Sequence, residues 1–513
     1  MTAVNCNNLL SAVNVHLRIL KYDWTNNLPL GLRRCSNLTK SKCYDKLSGK
    51  AFGQPTATTH PHLIKNGEIT PSIQRSEFQE RRQRLVESIV AHSLNCDKNS
   101  KKHLIVIPSA TKQYMSDKIP YVFRQNSDFL YLSGCLEPDS CLVLTTSNSL
   151  NNHHAIMFMR EKDSHSELWD GPRTSCEDCV NLFGVEQALP VAELGKYLEC
   201  YMKSNGQAIL WYDFLSPVQR NVDTIMKEFL NTKFNKMWES PIVFVHRLRL
   251  IKSPAEICLM QKSCDIASEA IANTISFSKP GVTEHQIFAH VDYECKMKGA
   301  EYLAYPPVVA GGNRANIIHY INNNQIVSND EMVLMDAGCE YHGYSSDITR
   351  TWPINGKFTP QQAIIYEILL DTQKRLIEHC YNFPSLDDLF ESMCSMLGKH
   401  LEETGLIRKS YTESIVRVAY KFCPHHVSHY LGMDVHDTPS VPRNIRIKPG
   451  MVITIEPGIY IHSGLKVPNE YQGMGIRIED DILITSDGPV VLTKRCPNTL
   501  ADIEKIASEN QRA

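Results

Sequence analysis

The chain of 513 residues balances 54 Lys and Arg against 56 Asp and Glu, with 42 % hydrophobic residues. Its length predicts two folded domains plus a tail, a net charge near zero argues against nucleic-acid binding, and no run approaches the ~18 consecutive apolar residues of a membrane span. The 17 cysteines are odd in number and scattered from Cys6 to Cys496, which excludes a small disulfide-stapled scaffold and fits a reducing compartment.

The first 56 residues hold Arg18, Lys21, Arg33, Arg34, Lys40, Lys42, Lys46 and Lys50 against only Asp23 and Asp45, and Leu10, Val13, Leu17 and Leu20 form an apolar helical stripe. That is the composition of a mitochondrial transit peptide, with a disordered basic tail as the alternative. Polar Asn5, Asn7, Asn8 and Asn14 interrupt what would be the apolar core of a secretory signal. After a His- and Pro-rich stretch, one helix is expected over 77–94 on Leu85, Ile89 and Leu94. Strand-like runs follow at 104–107, 141–145, 155–159 and 209–212, interleaved with helical stretches such as 192–202, which predicts an α/β domain over 57–245. Cys176 and Cys179 have the spacing of half a zinc knuckle, but nothing nearby completes four ligands, and they read as ordinary thiols.

A second regime, 246–513, opens with Ser253, Pro254 and Glu256, an N-cap, a first-turn proline and a capping-box acid. Ile257, Met260, Cys264, Ala267, Ile271 and Ile275 then recur every three or four residues, so one face of that helix is core. Thr283 with Gln286, closed by Gly299, predicts a second helix, and Thr359, Pro360 and Gln362 open a third. Strands are expected at 333–337, 344–352, 451–455 and 476–484, giving an α+β domain.

These strands hold the chemistry. Asp336 follows four consecutive apolar residues, and a strand buried on both faces holds such an acid only beside a strong partner. Asp347 repeats the problem eleven residues on, and a hairpin through Gly338 and Gly343 would bring the two acids onto adjacent strands. Glu456 ends the run Val452-Ile453-Thr454-Ile455, and period two places Arg477, Glu479 and Asp481 on one face. For Asp480 and Asp481 a salt bridge is the expected role. Four buried carboxylates would raise one another's pKa and protonate unless a cation holds them ionised. A fifth element, His429, lies in a segment that also holds His425, His426 and His436. Oxygen-rich ligation with one imidazole suits manganese or another hard or borderline divalent ion, and the number of acids suits two ions that share bridging carboxylates.

In order and flanks, Asp336, Asp347, His429, Glu456 and Glu479 resemble the ligand set of the pita-bread (creatinase/aminopeptidase-like) metallopeptidases, and more narrowly of the mitochondrial branch of the aminopeptidase P family. The run Arg124-Gln125-Asn126-Ser127-Asp128-Phe129-Leu130-Tyr131-Leu132-Ser133-Gly134 resembles the motif of that family's amino-terminal domain, and Gly53-Gln54-Pro55 through His60-Pro61-His62 resembles the start of its mature mitochondrial members. The resemblance implies an α/β amino-terminal domain followed by an α+β pita-bread catalytic domain, acting as an aminopeptidase on peptide or protein N-termini with a preference for Xaa-Pro bonds. It implies one ion on Asp336, the other on His429 and Glu456, and bridges from Asp347 and Glu479. A hydroxide between the ions would attack the scissile carbonyl, and Glu456 would pass a proton to the leaving amine.

The same resemblance puts His319 and His436 on the substrate backbone and the tetrahedral intermediate, and His425 in the pocket for proline. Tyr305 falls beside the metals, Arg477 supports the ligands at the substrate site, and His426 faces elsewhere. Ser428 stands where several relatives carry glycine. A homodimer and a mitochondrial address are expected, with a cytoplasmic pool as a second location. The competing readings are a prolidase-type Xaa-Pro dipeptidase and a non-catalytic pita-bread binding protein; the intact ligand set argues against the latter.

Overall fold

The computed structural model describes residues 52–96, 102–146, 153–206, 208–232, 237–407 and 414–509. The transit-peptide reading of residues 1–51 lies outside them. Gly53 and Gln54, where the folded part is expected to begin, are tied down: Gly53 N–H donates to Thr174 Oγ1, and buried Gln54 donates to Gly134 O and accepts from Leu136 N–H.

The amino-terminal half is built on strands β1 (His103–Pro108), β2 (Cys141–Thr146), β3 (His153–Met159), β4 (Gln187–Pro190), β5 (Ile209–Trp211) and β6 (Trp238–Glu239). They form one mixed sheet in the order β6-β5-β1-β2-β3-β4. Period two splits β1 between two cores. Leu104 and Val106 face Leu194, Leu198, Val222 and Met226 of the covering helices. Ile105 and Ile107 face Leu85 and Ile89 of helix α1 (Arg75–Asn95), which starts two residues before the expected span. Helix α2 (Ser127–Ser133) is capped by Asn126, whose side chain accepts from Phe129 N–H, and ends on Gly134 at φ 68°. Cys176 and Cys179 are free thiols.

Helix α3 (Ile242–Leu250) joins the halves, so the expected junction between 245 and 246 falls inside a helix. The second core also takes in Ile257, Met260, Leu431, Met433 and Val452, so apolar packing runs from one half into the other without a break.

All three expected capping boxes form, opening α4 (Pro254–Phe277), α5 (Glu284–Met297) and α6 (Pro360–His379). A fourth, Ser385 with Asp388, opens α7 (Leu386–Glu403) and escaped the sequence reading. The helices cover strands β7 (Val308–Gly311), β8 (Met332–Ala337), β9 (Cys339–Tyr341), β10 (Tyr344–Ser345) and β11 (Ile348–Pro353). The hairpin through Gly343 exists: β8 pairs antiparallel with β11, Asp336 opposite Thr349, and β9 pairs with β10.

Two expected strands are broken. The run 344–352 divides into β10 and β11 at Ser346 and Asp347, where Ser346 O approaches Gly338 so closely that a Cβ there would collide with it. The run 476–484 divides into β14 (Gly475–Arg477) and β15 (Asp480–Thr485). Opposite it, β12 (Val452–Ile455) stops before Glu456 and Pro457 and restarts as β13 (Gly458–Tyr460). β12 pairs with β15 and β13 with β14, so the hairpin changes sheets where Glu456 and Glu479 lie. Residues that leave a ladder carry side chains a regular pleat would not bring together.

Candidate metal centre

The breaks deliver their acids to one place. Asp347, His429 and Glu479 each offer a donor atom within 4.8 Å of the others. The Tyr305 hydroxyl lies 2.5 Å from both Asp336 Oδ1 and Asp347 Oδ1, linking the first two acids. His429 Nδ1–H donates to Tyr430 O at 3.1 Å, which leaves the Nε2 lone pair 3.3 Å from Asp347 Oδ2 and 3.7 Å from Glu456 Oε1. This is the tautomer a metal-ligating imidazole needs, fixed by a backbone carbonyl.

Backbone bonds hold the same residues. His429 and Thr454 exchange hydrogen bonds, Glu456 N–H donates to Val427 O, and Glu479 N–H donates to Thr349 O. Thr349 Oγ1–H also donates to Glu479 Oε2 at 2.6 Å and accepts from Arg477 Nε. Arg350, fully buried, donates to Glu479 O and pairs with Asp480.

Two segments of the chain match known family models, the Aminopeptidase P, N-terminal domain over 78–211 and Metallopeptidase family M24 over 258–486. Xaa-Pro aminopeptidase 3 of Rattus norvegicus is 43% identical over 470 residues, covering 90% of this chain and 92% of that protein. The chain belongs to the aminopeptidase P family. Intermediate cleaving peptidase 55, mitochondrial, of Arabidopsis thaliana is 37% identical over 481 residues, covering 93% of this chain and 92% of its own. A zinc-substituted E. coli aminopeptidase P in complex with product matches with a TM-score of 0.78 at 32% identity, over 85% of this chain and 99% of that one. The chain is a metal-dependent aminopeptidase with an aminopeptidase P amino-terminal domain and a pita-bread catalytic domain, and divalent metal ions are its cofactors.

The electrostatics fit that cofactor. Burial, then Asp336, pushes the Asp347 carboxyl well above the usual range, and burial with Asp347, Glu456 and Asp336 does the same to Glu479. Burial carries Glu456 up to about 7 against the pull of His429 and Arg477. Acids so placed keep their charge at neutral pH only beside added positive charge. Arg477 supplies one unit: it stays protonated despite burial because Tyr460, Asp336 and Glu479 surround it, and it donates to Asp336 Oδ2 at 2.6 Å.

Among the histidines, His436 reaches the surface, with its ring 4.6 Å from that of His429, and the protein packed around the inner part of the ring, then His429 and His319, lower its pKa to about 4. His319 is also exposed, on the turn after the 3₁₀ helix Gly312–Asn316. His425 is half-buried and already engaged: Nδ1–H donates to His426 O, Nε2 accepts from the Tyr460 hydroxyl, and Glu456 Oε2 lies 3.7 Å away. His426 turns away, stacked on Phe390.

Two expectations are corrected. Arg477 and Glu479 do not share a strand face, because β14 ends at Arg477; both reach the site from either side of the break. Among the described residues, Asp481 makes no salt bridge. Its Oδ2 instead accepts from Asp347 N–H at 3.0 Å and from the Cys264 thiol, so it fixes the backbone of a candidate ligand. The sequence reading also missed Thr349, Arg350 and Tyr460. Arg350 carried a usable signal, a charge inside the expected strand, in the β-branched run Ile348-Thr349-Arg350-Thr351-Trp352.

Proposed function

We propose that the chain removes the first residue of peptides whose second residue is proline, with Asp336, Asp347, His429, Glu456 and Glu479 holding two manganese ions. The observation that carries the reading is the convergence of the Asp347, His429 and Glu479 donors within 4.8 Å, with Tyr305 tying in Asp336 and Glu456 facing His429. Ions bound there supply Lewis acidity and lower the pKa of water. Oxygen donors with a single imidazole favour a hard or borderline ion over a thiolate-seeking one.

Asp347 and Glu479 would be shared between the two ions, Asp336 would serve one, and His429 with Glu456 would serve the other. Glu456 lies between His429 and His425 and moves the proton to the leaving amine. His319 and His436, both exposed, grip the substrate backbone, and the His436 N–H faces the developing oxyanion. The His425 nitrogens are occupied, so it offers proline a ring face as pocket wall. Arg477 pins Asp336 and Tyr305 spaces it from Asp347.

The proposed domain limits are 57–245 and 246–513, after a leader and linker over 1–56. A mitochondrial location, with trimming of imported protein N-termini, is supported by the basic leader and by the mitochondrial relative from Arabidopsis thaliana. A homodimer is supported by the hairpin of Tyr114–Ser116 and Ile119–Pro120, which leaves Tyr114, Met115, Ile119, Tyr121 and Val122 exposed.

Comparing Xaa-Pro dipeptides with Xaa-Pro-Yaa peptides tests the reaction. Release of free Xaa from the longer peptides is expected. Turnover confined to the dipeptides would make the chain a prolidase-type enzyme.

A further inference from the structure

His436 rides on the loop 431–438, between a candidate ligand and a residue of left-handed backbone, Thr438 at φ 50°. The loop forms no regular ladder. Asp434 and Asp437 flank His436, and both are held from outside the loop. Arg249 of α3 donates to Asp434 Oδ2 at 2.7 Å and to Asp437, and reaches Asp128 of α2 at 2.6 Å. Lys252 Nζ donates to Asp437 Oδ2 at 3.2 Å.

Ser345 of β10 also holds the loop, its N–H donating to Gly432 O at 2.8 Å and its Oγ–H to Met433 O at 3.3 Å, and further contacts come from the amino-terminal domain, some three hundred residues away in the chain. Arg124 Nη2 donates to Met433 O at 2.8 Å and to Asp434 Oδ1 at 2.9 Å, while its Nε donates to Glu340 Oε2 at 2.6 Å. Ser127 Oγ–H donates to the same Asp434 Oδ1 at 2.6 Å. Glu340 lies on β9, next to the strand that carries Asp336. One guanidinium thus ties the His436 loop to the acid-bearing hairpin.

We propose that Arg124 and Ser127 are positioning residues for His436, so that the amino-terminal domain sets the geometry of the catalytic loop. The inference rests on the reading of His436 as a group that stabilises the transition state. The Arg124 side chain is 39% exposed and the Asp434 side chain 32%, so that pair contributes little to global stability, whereas the Glu340 side chain is only 6% exposed and loses its partner when Arg124 is truncated. A displacement of about 1 Å at a group aimed at the reacting centre, by contrast, costs up to ~10²-fold in rate. Stability and turnover are therefore separable at Ser127, whose hydroxyl engages the partly exposed Asp434.

The test is steady-state kinetics of the metal-loaded full chain on an Xaa-Pro-Yaa peptide, with melting temperature and metal content recorded for each variant. Arg124→Ala is expected to lower kcat by about 10-fold or more, with KM and metal content near wild type and a melting temperature lowered by the unpaired Glu340. Ser127→Ala, which removes one hydrogen bond and no charge, should give a smaller loss of the same kind. Arg124→Lys should recover part of the rate, because an ammonium can reach Asp434 but lacks the fork that also holds Glu340 and Met433 O.

The deciding comparison is the His436→Ala background, where Arg124→Ala should add less than about 2-fold, since the group it positions is gone. Losses that multiply in the double variant would overturn the proposal. So would an unchanged kcat in both Arg124→Ala and Ser127→Ala, or a rate loss in Ser127→Ala that tracks lost metal or a lowered melting temperature. If His436→Ala itself turns over at the wild-type rate, the reading of His436 fails instead.

Discussion

Asp347 lies 3.3 Å from His429 Nε2 and 2.5 Å from the Tyr305 hydroxyl, and Glu479 is held by Thr349 in both its backbone and its carboxylate. Asp347→Asn or Glu479→Gln keeps these shapes while removing one negative charge from the cluster. Each substitution is expected to release at least one ion and to lower turnover well beyond the ~10- to 100-fold that loss of an outer hydrogen bond costs. Metal analysis beside kinetics checks this, and near wild-type turnover with a full metal complement would remove both residues from the ligand set. The acids were legible in the sequence because a salt bridge explains any one carboxylate in an apolar strand but not four together, which exceed the local supply of cations. Asp481 was not, because its partners, Asp347 N–H and the Cys264 thiol, come from remote segments.

Hairpins and caps differ in how far they can be read. The capping boxes at Ser253, Thr283 and Thr359 depend on residues three apart, and all were visible; Ser385 with Asp388 has the same chemistry with a shorter acid and was passed over. Period two, however, reads straight through the breaks at Asp347 and Glu479, because a strand stops where its partner stops, and β14 and β15 have different partners. Gly338 marks one of these breaks. Its added Cβ would meet the backbone carbonyl of Ser346, which no side-chain movement relieves. Gly338→Ala is expected to destabilise by about 3 kcal/mol, at the upper end of overpacking costs, and to weaken metal binding by shifting Asp347. Denaturant titration and metal affinity measured together check this; a variant as stable as wild type would show that the strands separate easily.

Across the whole molecule, Arg249 ties both halves together through Asp128, Asp434 and Asp437. Burial is the largest influence and would raise Asp128 and Asp434, but Arg249, together with His246 at Asp128 and with Arg124 and Ser127 at Asp434, outweighs it and holds both below the usual carboxylate range. Folded pKa values below the unfolded value of ~4 mean that this stabilisation is present above pH ~4 and fades as pH falls below it. Arg249→Met should therefore cost about 3–5 kcal/mol at pH 7, the scale for breaking a buried pair, and the gap to wild type should narrow toward pH 3. An equal gap at both pH values would mean that Arg249 acts by packing rather than charge. The central claim is that the cluster works as a pair of bound ions, and the most direct measurement is a titration of chelator-stripped enzyme with manganese, following turnover of an Xaa-Pro-Yaa peptide against bound metal. Turnover should be absent without metal and reach its full value only as the second equivalent binds. Full activity in the stripped protein, or at one ion per chain, would contradict the account.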